Sequence, residues 1–208
     1  MKHLERIRVN LQEYKALFIV VISVSALLVA SPALHRLLVY PQTEFFTELW
    51  LLGPEQKAEN YSFNITRNEN YGVFLGIGNH LGQCAYYLVE VKFRNESMSA
   101  PNSFSRTPSS LPSLFNITVF VADKSVWEQF LTFSLDYEFN DSLSRVDFSS
   151  ITLNDVKLGL NGLSSEWNST TNRFYGNLIF ELWIYNGSTG LLGYHERFVD
   201  LKLNMTAT

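Results

Sequence analysis

Tyr87-Leu88-Val89-Glu90-Val91-Lys92-Phe93-Arg94 sets an apolar side chain at each odd position and a charge at 90, 92 and 94. Alternation with a period of two is the mark of a strand with one face in a core and the other in water. Leu131, Phe133 and Leu135 alternate with Thr132, Ser134 and Asp136 in the same way, and Val199, Leu201, Leu203 and Met205 with Asp200, Lys202 and Asn204. Outward from these, strands are expected over 43–52, 71–80, 85–94, 114–122, 129–137, 175–185 and 194–205. Leu81-Gly82-Gln83 reads as the turn of a hairpin joining the second and third, and Asn186-Gly187 with Gly190 as the turn between the last two. The stretch 178–185 is apolar on nearly both faces, with Glu181 its one charge, so it belongs in the middle of a sheet. The expectation is an all-β domain, an antiparallel sandwich of immunoglobulin-like type with about seven strands. In it Val89, Val91, Leu131, Phe133, Phe180, Leu182, Leu201 and Leu203 point inward, while Lys92 and Thr132 point to solvent.

Two segments break the pattern. Residues 96–113 are rich in Ser, Pro and Asn and read as a long mobile loop, and 147–169 holds short apolar pieces that fit either an inserted helix or an extra edge strand. A single cysteine, Cys84, excludes an internal disulfide framework and is read as a buried apolar residue, so the domain relies on its hydrophobic core.

Ahead of the strands, 16–34 is free of charge. At about 1.5 Å per residue it approaches the ~30 Å of a bilayer core. Lys2, Arg6, Arg8 and Lys15 against Glu5 and Glu13 place the N-terminus in the cytoplasm under the positive-inside rule. The competing reading is a cleaved signal peptide, with small residues at Ala30-Ser31-Pro32-Ala33. Because the apolar character continues through Leu37-Leu38-Val39-Tyr40, an uncleaved anchor over 16–39 is the reading adopted. The organisation is then a basic cytoplasmic segment at 1–15, the anchor at 16–39, and an extracellular domain at 40–208 of a single-pass cell-membrane protein.

Asn-x-Ser/Thr sequons occur at Asn60, Asn64, Asn95, Asn116, Asn140, Asn168, Asn186 and Asn204, all after the apolar segment. These are the candidate N-glycosylation sites. Asn64, Asn116 and Asn204 alternate with apolar neighbours and are expected on outward strand positions. After Tyr40 the chain carries 11 Lys or Arg against 18 Asp or Glu, with no basic cluster, which excludes nucleic acid as a partner.

No catalytic, cofactor-binding or metal-binding residues are assigned. Gly76-Ile77-Gly78 lies within a strand with no helix after it, so its glycines serve close packing or a bulge and not a phosphate. His80 and His195 lack partners at metal-ligand spacing. Trp50, Trp127 and Trp183 are read as core, and Trp167, in polar surroundings, as a loop anchor or contact point.

The run from Thr43-Glu44-Phe45 through Leu52-Gly53-Pro54-Glu55-Gln56-Lys57-Ala58-Glu59-Asn60-Tyr61, followed by Asn64 and Gly76-Ile77-Gly78-Asn79-His80, resembles an archaeal family of domains of unknown function, the one numbered 1616. Gln56 stands where that family usually has Gly, and Ser62 where it usually has Pro. The resemblance implies a membrane-tethered extracytoplasmic sandwich and brings no activity with it. The expected function is a non-catalytic module for adhesion or envelope assembly. Its partners would be the bilayer through 16–39 and a protein or glycan at the cell surface. The rival is a carbohydrate-binding or glycan-processing accessory.

Overall fold

The computed structural model describes residues 14–39, 44–160 and 162–206. Most of the basic N-terminal segment and the expected start of the first strand at Thr43 lie outside the described residues. Residues 1–44 and 45–208 form two separate compact units.

The first unit holds helix α1 (Lys15–Val39), which contains Pro32. Within it Ser25 Oγ donates to the Val21 carbonyl at 2.8 Å. The window Lys15–His35, with mean hydropathy 2.5, is long and apolar enough to cross a bilayer, a property that a signal sequence shares.

The second unit is built from β1 (Phe46–Leu52), β2 (Asn64–Thr66), β3 (Tyr71–His80), β4 (Ala85–Asn95), β5 (Phe115–Val121), β6 (Ser125–Asn140), β7 (Arg145–Leu153), β8 (Val156–Gly159), β9 (Ser164–Asn168), β10 (Arg173–Asn186) and β11 (Leu191–Thr206). One sheet runs β1-β3-β6-β7, with β8 and β9 along the outer edge of β7; the other runs β5-β4-β10-β11-β2. Strand β9 also pairs with β10 and so stitches the two sheets together. All pairings are antiparallel except β11 with β2, where Asn204 lies opposite Asn64. The expected seven strands become eleven. The insert at 147–169 is strand, and the described sandwich has one short 3-10 turn, Asp141–Leu143.

The inward residues of both sheets meet in one core that contains Val89, Val91, Leu131, Phe133, Phe180, Leu182, Leu201 and Leu203, as the alternation requires. Phe93 of one sheet meets Phe148 of the other edge-on, with ring centroids 4.9 Å apart. The Tyr137 hydroxyl crosses the core to the Thr206 carbonyl at 2.9 Å and to that of Ile65. The last two strands form the expected hairpin, Asn186 opposite Leu191.

The other expected hairpin is absent. β3 lies between β1 and β6, whereas β4 lies between β10 and β5, so the turn at 81–84 carries the chain from one sheet to the other. Asn79, fully buried, holds that corner. Its Nδ2 donates to the carbonyls of Gln83 and Val121, each at 2.8 Å, and its Oδ1 accepts from Leu81 N at 3.1 Å. Gly82, with φ of +75°, makes the left-handed step. Cys84 on this turn is exposed, not buried, because it belongs to the corner and not to a strand face.

The glycines of β3 serve close packing. A Cβ on Gly76 would stand 2.1 Å from the Trp50 ring, and one on Gly72 2.2 Å from that of Phe130. Trp50 is therefore not core: it lies half-buried across the outer face of its sheet, its Nε1 3.5 Å from Glu128 Oε2. Trp127 packs against the core.

Candidate functional site

Lys92 was placed in water by the alternation of β4; it is 3% exposed. Segment 96–113 folds over the outer face of β4 and β10 and brings Ser109 down to Glu181, so this face is covered too. Glu181 is 0% exposed. Its Oε1 accepts from the Ser109 amide at 2.9 Å and from the Ser109 hydroxyl, and its Oε2 accepts from Lys92 Nζ at 2.8 Å. The same ammonium reaches Glu90 Oε2 at 3.0 Å and the Ser109 carbonyl at 3.5 Å, which occupies its three donors. Trp183 and Tyr194 border the cluster, ring centroids 5.6 Å apart. Burial, with Glu181 and Glu196 behind it, pushes the Tyr194 hydroxyl up to about 12. Glu90 and Glu181 share a cation between them, and Asp136 and Glu138 share Arg67. Glu181, sealed from solvent and compensated by Lys92, ties segment 96–113 to the sheet.

A second polar group sits at the end of the sandwich where β1 begins. The register between β10 and β11 shifts between Leu182 and Trp183, and the two extra β11 residues are His195 and Glu196, the latter with φ of +58°. Such an irregularity re-aims a side chain. Here His195 Nε2 lies 2.8 Å from Thr47 Oγ1, which lies 3.0 Å from the Tyr87 hydroxyl, which donates to Asn79 Oδ1 at 3.3 Å. Asn79 uses its Nδ2 on two carbonyls, so its Oδ1 must accept. One assignment satisfies every link: Tyr87 donates to Asn79, Thr47 to Tyr87, and His195 Nε2–H to Thr47. Thr47 thus faces a donor and not a base, which leaves it without the activation that a nucleophile needs.

Burial, reinforced by Arg197, holds the His195 imidazole below its ordinary value of 6.5. The fold favours the neutral ring. Its contribution is full above the unfolded value and falls as pH drops below it, since the unfolded chain then binds a proton that the folded chain does not. In denaturant unfolding of the full-length protein at pH 7.5 and 5.5, followed by tryptophan emission, His195→Gln should lose less stability on acidification than the wild type. Equal losses would remove His195 from the account.

Around this group Phe45, Phe46, Leu81, Ser103, Arg106 and Arg197 line a pocket of about 450 Å³. Between β1 and β11 a groove of about 610 Å³ is lined by Leu49, Tyr61, Phe63 and Val199 among others. A polar cleft of about 510 Å³ lies between Asn95-Glu96-Ser97 and 164–169. Trp167 flanks it, held in β9 with its ring edge-on to Phe174 at 4.9 Å. Among the described residues no group of three or more His, Cys, Asp or Glu is placed to hold a metal ion.

The sequons divide by position. Asn60, Asn64, Asn116 and Asn186 are exposed, and Asn95, Asn140 and Asn168 are half-buried. Asn204 is 8% exposed, contrary to its expected outward place. The short β2, too brief for alternation to mark, pairs with the edge of β11, and Asn204 Nδ2 donates to Asn64 Oδ1 at 2.9 Å. Asn95 Nδ2 donates to the Ser164 carbonyl at 2.6 Å and Asn168 Nδ2 to Glu96 at 2.9 Å. A glycan on any of these three nitrogens would take one of its two hydrogens and crowd the hydrogen bond that the other makes. The Lys92–Glu181 cluster and the Thr47–His195 chain were missed in the sequence. Glu181 alone, a charge in an otherwise apolar strand, signalled a buried partner.

Two solved structures illustrate a distant likeness. A beta-glucosidase from Listeria innocua in complex with glucose aligns over 81% of this chain with TM-score 0.36 and 9% identity, and the chain spans about 17% of that enzyme's length. The human CEP192 PapD-like domain 7 aligns over 82% of this chain and 93% of its own, with TM-score 0.31 and 10% identity. No curated protein matches the chain. Residues 41–148, from just before β1 into β7, match the model of the family described as Domain of unknown function (DUF1616), and with more than half its length so matched the chain belongs to that family.

Proposed function

We propose that this protein is a single-pass membrane protein with its N-terminus in the cytoplasm, exposing a glycosylated β-sandwich outside the cell as a non-catalytic module for adhesion or envelope assembly. The observation that carries the reading is the placement of the sequons: all eight follow α1, and four present exposed asparagines on the sandwich. The acidic balance after Tyr40 suits a domain in an external medium. Neither polar cluster has an activated nucleophile or a free acid–base pair.

Cys84 is the chain's one cysteine, so a Cys84→Ser, Ser169→Cys chain carries a single thiol at an exposed position just after β9. A membrane-impermeant maleimide applied to intact cells producing it should label it without lysis, and glycopeptides at Asn64 and Asn116 should carry sugar. Labelling that appears only after lysis would reverse the topology.

A second reading, a carbohydrate-binding accessory, draws on the outer face of the first sheet. There the half-buried Trp50 shares the face with Phe74 and Phe130, whose rings lie 4.8 Å apart. Against it, Trp50 and Phe130 already lie on Gly76 and Gly72, covering backbone that would otherwise meet water.

A further inference from the structure

One end of the sandwich gathers exposed apolar side chains, and the other carries six of the eight sequons. The first end is where β1, β4, β6 and β11 begin and β3, β5 and β10 finish, as the pairs Phe46–His80, Asn79–Ser125, Ala85–Val121 and Asn186–Leu191 show. Phe45, Phe46, Phe104, Phe120, Val126 and Leu191 are all exposed there. Phe104 is 97% exposed, yet its loop is built: Asn102 and Thr107 exchange backbone bonds at 2.9 and 3.0 Å, and Asn102 Oδ1 accepts from Phe104 N at 2.8 Å. Ser103 and Arg106, on either side of Phe104, line the same pocket as Phe45 and Phe46. Phe120 lies tilted against Tyr86, with ring centroids 4.6 Å apart.

At the other end stand Asn60, Asn64, Asn95, Asn140, Asn168 and Asn204, beyond the end of β1 or level with the start of β10 and β7. Asn116 lies midway, opposite Glu90. Asn186 is the exception, at the rim of the apolar end, with its Oδ1 accepting from Ser188 N at 2.9 Å.

We propose that the apolar end of the sandwich docks on the lipid interface, with these side chains entering the headgroup region and the sequon-bearing end held away from it. The inference rests on the membrane-anchored reading above. Three observations favour lipid as the occupant. β1, whose first residue is part of the patch, starts only seven positions after the last residue of α1, so the apolar end is the one that the anchor leads into along the chain. Bulky hydrophilic sugars can be carried only by the end left in water, and six of the sequons are there, with Asn60 and Asn64 exposed. The exposed residues are aromatic and aliphatic, the types that settle at a membrane interface, and they outnumber the exposed Tyr61, Leu143 and Trp167 of the other end. Arg106 is paired with Glu196 and His80 with Glu48, so the patch has no excess of positive charge and calls for no anionic lipid.

Cys84 lies on this end, in the turn that includes Gly82, against which Phe45 packs. The full-length protein would be labelled there with an environment-sensitive fluorophore and reconstituted in phosphatidylcholine vesicles containing a spin-labelled, quenching lipid. The reference is a Cys84→Ser, Ser169→Cys chain labelled at the opposite end. Quenching should be several-fold stronger at position 84 than at 169. Phe104→Ser, Phe120→Ser and Leu191→Ser together should bring the first down to the second while the protein still floats with the vesicles. Equal quenching in an otherwise unchanged chain that floats overturns the docking and spares the anchor, whereas a chain that does not float overturns both. Efficient oxidative linkage of unlabelled chains through Cys84 would mean that a second copy covers this end instead, and full glycan occupancy at Asn186 would mean that its rim stays in water; either overturns the proposal.

Discussion

Lys92→Ala is expected to destabilise the protein by about 3–5 kcal/mol, although the alternation of β4 alone would put the change within about 0.5. Removing the ammonium leaves the Glu181 carboxylate wholly buried with only the Ser109 donors to satisfy it. That uncompensated charge is what makes the loss large. Lys92→Met combined with Glu181→Leu should recover most of the loss, because a well-packed apolar pair avoids desolvating two charges. Denaturant unfolding of the full-length protein, followed by tryptophan emission, measures both. A loss below about 0.5 kcal/mol for Lys92→Ala would mean that loop 96–113 does not cover this face in solution.

Phe133→Ala should cost about 3–5 kcal/mol, since a ring 1% exposed leaves a cavity between two sheets that β9 and the Tyr137 hydroxyl hold in place. Its neighbour Thr132, half-buried on the outer face, should lose no more than about 0.5 kcal/mol as alanine. The contrast between adjacent residues tests the register. Similar losses at both would mean that the inner and outer faces of β6 have been exchanged.

Alternation was legible because it is a property of neighbours in the chain. It identified the inward set of both sheets, while the apolar run 178–185 marked the central place of β10 and the turn chemistry at Asn186-Gly187 the final hairpin. Pairing partners are another matter. A short glycine turn at 81–84 suits a hairpin and a sheet-to-sheet corner equally well, and what decides between them is the buried Asn79, whose partner Val121 lies 42 positions away. Lys92 and Glu181 are 89 positions apart, and the Ser109 that closes over them sits in a segment whose composition reads as mobile. Asn204 alternates as an outward residue should, and only the three-residue β2 buries it. The sequons and the apolar helix were plain in the sequence, whereas the segregation of sequons from exposed phenylalanines needs the strand order to bring distant turns to common ends.

The central place of β4 between β5 and β10 also bears on how the chain is made. Synthesis runs from the N-terminus, so β4 emerges before either neighbour, and Lys92 waits 89 positions for Glu181. During that interval an eleven-residue strand rich in valine and aromatic residues presents two open edges, the form most prone to pair with another nascent chain. Glu90, Lys92 and Arg94 then act as gatekeepers, one face of the strand bristling with charge while its partners are still unmade. Two of the three are later drawn into the buried cluster around Glu181, so the charges that discourage aggregation before folding become part of the lock after it.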